Sequence, residues 1–233
     1  MERGEAFLEA ESWEVDVLKA LIFDMDGVLI DTEPLYFEAY RKAAESYGRE
    51  YDLTLHRRIM GIPERDGLRL IVEHLGIEVS LDEFRERVYV ERRRIFSDSL
   101  KPNPALREAL TLLKRRGYKV ALATSTSERE ARERLKKVGL EDLFDAMLFG
   151  DSVKNGKPDP EIYLLVLERL GIQPTEAIVF EDSKSGVIAA KRAGVEKVVG
   201  VVHSLNNPDE LLRAGVDELL GIHEIPSKLK EFL

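Results

Sequence analysis

Hydrophobic residues form two kinds of pattern along the chain. Five short apolar runs have the length of buried strands, and glycine or polar residues follow each of them. Segments with helical spacing separate the last four runs, and a glycine ends most of these segments, as is typical of helix C-termini. The predicted strands are 19–23, 118–123, 146–149, 177–180 and 197–202, and the predicted helices of this part are 105–116, 128–138, 160–170 and 185–193.

The region between the first two runs contains helical spacing only, in segments 35–47, 65–75 and 81–96. Elsewhere, alternating strands and helices predict an α/β fold with a doubly wound, Rossmann-like parallel sheet. An insertion after the first strand lies at the C-terminal edge of the sheet, where open α/β sheets bind ligands. We therefore predict a catalytic core (19–33 and 99–233), an inserted all-helical cap domain (34–98) and an acidic N-terminal extension (1–18).

Composition narrows the possible classes of function. The chain has 233 residues and a formal net charge of -9, which argues against non-specific nucleic-acid binding but allows a local site for a small anion. Cysteine is absent, which excludes disulfides, thiolate nucleophiles and thiolate metal sites. No apolar run approaches the roughly 18 residues of a membrane span, and the chain starts with acidic residues. We expect a cytoplasmic monomer without nucleic-acid or membrane partners.

Four polar clusters follow four of the predicted strands and should meet at one edge of the sheet. They are Asp24-Met25-Asp26-Gly27-Val28, Thr124-Ser125, Lys157 in the loop 155–160, and Glu181-Asp182-Ser183. Carboxylate oxygens suit Mg²⁺, whereas a lysine and hydroxyl groups suit a phosphoryl group. A carboxylate can also act as the nucleophile. Together the clusters indicate phosphoryl transfer, in which positioning and charge neutralisation dominate catalysis.

In order and spacing, these clusters resemble the four signature motifs of the haloacid dehalogenase superfamily, from residue 19 to about residue 202. The insertion resembles the cap of the β-phosphoglucomutase-like branch, and the stretches DGVLIDTEPLY and NGKPDPEIY are similar to its sugar-phosphate phosphatases. The resemblance implies a Mg²⁺-dependent phosphatase that hydrolyses a small phosphorylated metabolite through an aspartyl phosphate. Other divalent cations, such as Mn²⁺ or Co²⁺, are expected to substitute.

The resemblance also implies catalytic roles. Asp24 is the expected nucleophile, and Asp26 is the expected general acid and then general base. The metal ion would be held by the Asp24 carboxylate, the backbone carbonyl of Asp26, Asp182 and, directly or through water, Glu181. For Glu181 a purely structural role is as well supported as a role at the metal ion. The alternative role for Asp182 is to cap the helix that follows it.

Three further residues are expected to contact the transferring phosphoryl group. Thr124 and Lys157 would hold its oxygens and count among the catalytic residues, whereas Ser125 is as compatible with a bystander role.

An aspartate at position 26 favours phosphate esters, because an alkoxide leaving group needs a proton.

The cap should select the substrate, which we expect to be a small sugar phosphate. Our alignment places Tyr36, Glu64 and Glu91 where β-phosphoglucomutase has a histidine, an arginine and a lysine, and acidic residues suit a bisphosphate intermediate poorly. A phosphomutase is therefore the alternative, followed by a non-catalytic protein that binds a phosphorylated ligand. Four histidines are expected to be structural or on the surface. The candidate specificity residues are Glu33, Tyr36, Met60, Gly61, Ile62 and Arg65.

Overall fold

Six parallel strands form one sheet in the computed structural model, in the order β3-β2-β1-β4-β5-β6. From β1 the chain winds outward in one direction through β2 and β3, and in the other through β4, β5 and β6, so the predicted doubly wound fold is confirmed. The strands are β1 (Ala20–Phe23), β2 (Lys119–Ala123), β3 (Ala146–Leu148), β4 (Ala177–Glu181), β5 (Lys197–Val202) and β6 (Glu218–Gly221). The sequence predicted the first five strands to within one residue at each end. It missed β6, a half-buried edge strand without a continuous apolar run.

The structure describes residues 18–60 and 64–233. Of the predicted N-terminal extension, only Leu18 is described, and it packs against the core. Gly61 and Ile62, two of the candidate specificity residues, also lie outside the described residues.

Helices cover both faces of the sheet and the C-terminal edge. Their bounds are α1 (Glu33–Glu45), α2 (Leu53–Ile59), α3 (Glu64–Leu75), α4 (Leu81–Ser99), α5 (Pro104–Arg115), α6 (Glu128–Val138), α7 (Glu161–Leu170), α8 (Lys184–Arg192), α9 (Pro208–Ala214) and α10 (Ile225–Leu229). On one face, Leu21 and Phe23 of β1 pack in a cluster with α5, α6 and α10. On the other face, Ala20 and Ile22 pack in a cluster with α7, α8 and α9. This alternation follows from the two-residue period of a strand.

Helices α1–α4 enclose a third hydrophobic cluster of their own, which includes Tyr51, Leu55, Leu68 and Phe84. The separate cluster supports the proposed division into a core and a cap. The sequence did not predict α2. Asp52 caps the start of this helix, because its carboxylate accepts a hydrogen bond of 2.8 Å from the Leu55 N–H. No helix in the described part of the chain combines the length and the apolar character needed to cross a bilayer.

If the cap has an independent core, removing the Phe84 ring should destabilise it strongly. Phe84 is 0% exposed, so Phe84→Ala should lower the free energy of unfolding by about 3–5 kcal/mol. Val90 lies on the same helix and is 55% exposed, so Val90→Ala should change the free energy of unfolding by about 0.5 kcal/mol or less. Urea denaturation of both variants measures the two values. Equal stability of the two variants would contradict a packed cap.

Candidate active site

The candidate nucleophile Asp24 lies directly after β1, at the C-terminal edge of the sheet. Because β1 pairs with β2 and β4 in register, the residues that follow Phe23, Leu122 and Phe180 meet at the same level. The Asp24 N–H continues this pairing by donating a hydrogen bond of 3.0 Å to the Phe180 carbonyl. The strand order reverses at β1, which is where open α/β sheets bind ligands.

Lys157 brings a buried positive charge to Asp24. Its side chain is only 4% exposed, and Nζ lies 2.7 Å from Asp24 Oδ1 and 2.5 Å from Glu181 Oε1. The same ammonium donates a hydrogen bond of 2.8 Å to the carbonyl of Ala123, at the end of β2. Three strands thus supply its acceptors, which fixes the ammonium beside the carboxylate of Asp24.

For both Asp24 and Lys157, burial and the neighbouring charge of opposite sign shift the pKa in opposite directions. Burial raises the pKa of Asp24 well above its usual range, and the charges of Glu181, Asp182 and Asp26 raise it further against the pull of Lys157. Burial alone would lower the pKa of Lys157, but the carboxylates of Asp24 and Glu181 raise it, so the ammonium stays charged. The site therefore has more negative charge than Lys157 can neutralise.

Glu181 directs all of its hydrogen bonding into the protein. Its Oε1 accepts from Lys157 Nζ and, at 2.6 Å, from the hydroxyl of Tyr163. Its Oε2 accepts from the N–H and the hydroxyl of Ser183 at 3.3 and 3.1 Å. These contacts fill its roughly four acceptor positions and favour a role in holding Lys157 over direct metal ligation. Tyr163 was not a candidate from the sequence, because its helical position looks like ordinary core.

Asp182 projects towards the loop after β1. A Cβ atom at Gly27 would overlap Asp182 Oδ2, so the carboxylate lies directly against the backbone next to Asp26. Ser183, whose hydroxyl accepts a hydrogen bond of 3.0 Å from the Gly186 N–H, caps α8, which leaves Asp182 free of that role. Burial raises the pKa of Asp182 well above its usual range, with Glu181 as the next cause.

His203 forms a hydrogen bond with the carboxylate of Asp182. Burial lowers the pKa of His203, which keeps the ring neutral, and its Nδ1 accepts a hydrogen bond of 3.3 Å from the Leu205 N–H. Nε2 therefore carries the proton and donates it to Asp182 Oδ2 at 3.1 Å. The sequence predicted a structural or surface histidine and missed this contact, which arises between the ends of β4 and β5.

The donor set fits a hard divalent cation. Asp24 and Asp182 supply buried carboxylate oxygens whose charges are not fully neutralised. Asp26, two residues after Asp24, can supply its backbone carbonyl. Among the described residues, no three side chains of the Asp, Glu, His or Cys types are grouped as a metal site. Two carboxylates and a carbonyl nevertheless suit Mg²⁺, which usually retains several water molecules.

Asp26 is held by two residues that the sequence did not single out. Arg134 Nη1 donates to Asp26 Oδ1 at 2.7 Å, and the hydroxyl of Thr126 donates to Asp26 Oδ2 at 2.7 Å. Thr126 follows the predicted phosphate-binding pair closely, which is the one local signal for it. Arg134 lies in the middle of a highly charged helix and resembles a solvated residue in the sequence.

The two hydroxyl residues after β2 differ in their surroundings. Thr124 is buried, and its hydroxyl accepts a hydrogen bond of 3.1 Å from the Thr126 N–H. Ser125 is exposed in the same turn. Thr124 directly follows Ala123, whose carbonyl accepts a hydrogen bond of 2.8 Å from Lys157, so Thr124 and Lys157 both lie at the C-terminal end of β2.

The candidate specificity residues lie in different places. Tyr36 is near Asp26, since burial and then the charge of Asp26 raise the pKa of its hydroxyl. Glu33 is close to Asp182, whose pKa it raises, and its Oε2 lies 3.7 Å from Nε2 of the buried His56. Met60 follows α2, whereas Arg65 is exposed on α3.

The acidic residues at the mutase positions are paired within the structure. Glu64 lies 2.9 Å from Nη1 of Arg92, and Glu91 lies 3.1 Å from Nη2 of Arg87. Arg92, which the sequence did not identify as a candidate, also lies 2.8 Å from Glu130 of α6. It therefore joins the cap to the core.

Comparison with known proteins finds relatives over most of the chain. Residues 21–201 match the family described as haloacid dehalogenase-like hydrolase. The phosphorylated carbohydrates phosphatase of Thermotoga maritima is 61% identical over 216 residues, which cover 93% of this chain and 100% of that protein. The fructose-1-phosphate phosphatase YqaB of Escherichia coli is 34% identical over 178 residues, which cover 76% of this chain and 94% of that protein.

A solved structure from Thermotoga maritima, described provisionally as a β-phosphoglucomutase, has a TM-score of 0.80 and 61% identity. The match covers 93% of this chain and 100% of that chain. The same sheet and helices therefore occur in a related protein.

The close approach of Asp182 to Gly27 predicts a selective effect on cation binding. Gly27 and Gly48 both have left-handed backbone conformations, with φ of 75° and 68°, so alanine at either position costs about 1–2 kcal/mol. Only at Gly27 would the new Cβ displace Asp182, because nothing lies within 4 Å of the corresponding position at Gly48. Gly27→Ala should weaken Mn²⁺ binding by about 10–100-fold, as measured by electron paramagnetic resonance titration. Gly48→Ala should bind like the wild type, and equal weakening in both variants would disprove the assignment.

Proposed function

The chain belongs to the haloacid dehalogenase-like hydrolases and is a phosphoric monoester hydrolase, and we propose that it hydrolyses small sugar phosphates with Mg²⁺ through an aspartyl phosphate on Asp24. This confirms the family that the four polar clusters predicted. One observation carries the proposal: the buried ammonium of Lys157 lies 2.7 Å from Asp24 Oδ1. A carboxylate can approach an anionic phosphoryl group only where such charge compensation is built in.

The proposed reaction has two displacements at phosphorus. First, a carboxylate oxygen of Asp24 forms a bond to phosphorus, the bond from phosphorus to the sugar oxygen breaks, and Asp26 gives its proton to the leaving oxygen. Second, a water molecule attacks phosphorus and gives a proton to Asp26. The bond between phosphorus and Asp24 then breaks, which regenerates the carboxylate and releases inorganic phosphate. Thr124 binds a phosphoryl oxygen in both steps. Lys157, whose three N–H donors point to Asp24, Ala123 and Glu181, exchanges one of these acceptors for a phosphoryl oxygen.

Phosphatases of this family generally use a divalent metal ion. We assign Mg²⁺ to this site, held by the Asp24 carboxylate, the Asp26 carbonyl and Asp182. When bound, the cation supplies positive charge to the phosphoryl oxygens and to the crowded carboxylates. Glu181 acts through Lys157 in this assignment and does not bind the cation itself, because protein donors occupy both of its oxygens.

A sugar phosphate is the substrate class that the relatives favour. A protein 61% identical to this chain is named for phosphorylated carbohydrates, and one that is 34% identical is named for fructose 1-phosphate. The core residues address the phosphoryl group alone, so recognition of the sugar falls to the cap and hinge, where Glu33 and Tyr36 lie next to the core carboxylates. The proposed cap spans residues 34–98, and its closure would exclude bulk water from the first step.

A phosphomutase is not favoured. Such an enzyme must hold a second phosphate in the cap, whereas Glu64 and Glu91 occupy the positions where the mutase has cationic residues. Arg92 is already committed to Glu64 and Glu130, at 2.9 and 2.8 Å. Release of inorganic phosphate should therefore be faster than isomerisation of any sugar phosphate.

A phosphate-release assay tests the proposed function. The substrates are p-nitrophenyl phosphate, fructose 1-phosphate, glucose 6-phosphate and glycerol 3-phosphate, each with Mg²⁺ and with excess chelator. Turnover should require the cation, and Asp24→Asn should reduce it by about 10⁴-fold or more, because the nucleophile is lost. Turnover that survives either change would refute the mechanism.

Two lysines of one loop provide the matched control. Lys157→Met leaves Asp24 and Glu181 buried without their cation, so turnover should fall by about 10³-fold, and unfolding should be easier by about 3–5 kcal/mol. Lys154 is exposed, and Lys154→Met should leave both quantities unchanged. A similar loss in both variants would show that the loop matters for another reason.

A further inference from the structure

Arg134 is the one arginine that contacts a proposed catalytic side chain among the described residues. We propose that it is a positioning residue for Asp26, and that ion pairs through Glu130 and Arg92 make this positioning depend on the cap. The inference rests on the proposed function, because it concerns the proton transfer by Asp26.

Hydrogen bonds hold both carboxylate oxygens of Asp26. Each of its carboxylate oxygens accepts one hydrogen bond of 2.7 Å, Oδ1 from Arg134 and Oδ2 from Thr126. Two donors on two oxygens fix the plane of the carboxylate. Since a carboxylate has about four acceptor positions, two remain for the proton and for the leaving oxygen. The contacts thus restrain the direction of Asp26 without blocking its chemistry.

Arg134 is buried between aromatic rings. Its side chain is 6% exposed, and the guanidinium lies 4.6 Å from the ring centroid of Phe96 and 5.5 Å from that of Tyr36. Both rings belong to cap helices, α4 and α1 respectively. A planar guanidinium enclosed by aromatic rings has little freedom to turn, so the Asp26 carboxylate that it holds is equally restrained.

A series of ion pairs with alternating charges connects Arg134 to the proposed cap. Glu130 Oε2 lies 3.6 Å from Arg134, and Glu130 Oε1 lies 2.8 Å from Arg92. Arg92 Nη1 lies 2.9 Å from Glu64, the first residue of α3. The chain therefore runs from the start of a cap helix through α4 and α6 to the proposed general acid. A shift of the cap that moves Arg92 alters the neighbours of Arg134 as well.

Leaving-group dependence separates positioning of an acid from general structural support. Nitrophenolate leaves without a proton, whereas a sugar alkoxide needs one. The value of kcat/KM covers the steps from substrate binding to leaving-group release and excludes hydrolysis of the aspartyl phosphate. A comparison of the two substrates therefore reports the need for a proton on the leaving group. In Arg134→Met, kcat/KM should fall by about 100-fold for the fastest sugar phosphate of the panel and by less than about threefold for p-nitrophenyl phosphate. Arg134→Lys should restore part of the loss.

Two further variants keep the test independent of folding. Thr126→Val removes the second donor without changing shape and should produce the same selective loss to a smaller extent. Arg132 lies on the same helix, pairs with Glu128 at 2.8 Å and does not face Asp26, so Arg132→Met should leave the ratio of the two kcat/KM values unchanged. Equal losses on both substrates in Arg134→Met would show that Arg134 gives only structural support, and a gain with the sugar phosphate would show that Arg134 opposes proton transfer by Asp26. Either result would overturn the proposal.

A double-mutant cycle tests the link to the cap. Arg92→Met should reproduce the selective loss in the wild-type background and add little in the Arg134→Met background. Fully additive losses would disprove the coupling. Absence of wild-type turnover would instead disprove the proposed function, so the two failures are distinguishable.

Discussion

The structure depends on one buried positive charge. Lys157 is almost completely removed from water and is shared by Asp24 and Glu181, at 2.7 and 2.5 Å. A buried ammonium of this kind is stable only with good acceptors. Here they come from Asp24, directly after β1, and from the last residues of β2 and β4. The register of the central strands therefore determines the position of the charge that would allow Asp24 to act as the proposed nucleophile. Tyr163 and Ser183 complete the support by occupying the rest of Glu181.

The negative charge at this edge of the sheet still exceeds what Lys157 can offset. Burial and mutual repulsion raise the pKa values of Asp24 and Asp182, and a divalent cation at this edge would relieve the repulsion. In the proposed mechanism the core residues would hold the cation and the phosphoryl group, whatever the rest of the substrate is. The helices of the proposed cap bring Tyr36 and Arg92 close to the same edge.

Much of the fold and the proposed nucleophile could be predicted from the sequence, because the signals are local. Asp24 and Asp182 directly follow apolar strands, and Lys157 lies in a proline-braced loop. Arg134 could not be predicted, since it is 108 residues from Asp26 and lies in a helix whose charged residues resemble a solvated surface. His203 was missed for the same reason: its contact with Asp182 exists only after β4 and β5 pair. Such supporting residues are determined by tertiary packing and have no local pattern.

The central claim is that phosphate passes through a covalent bond to Asp24. Brief mixing of the Mg²⁺-loaded protein with a radiolabelled sugar phosphate, followed by an acid quench and peptide mapping, tests it most directly. Covalent catalysis by Asp24 should give a label that hydroxylamine removes, on the peptide that contains Asp24, and no label in Asp24→Asn. Steady release of phosphate without any labelled protein, or a label on another residue, would rule out an aspartyl phosphate on Asp24.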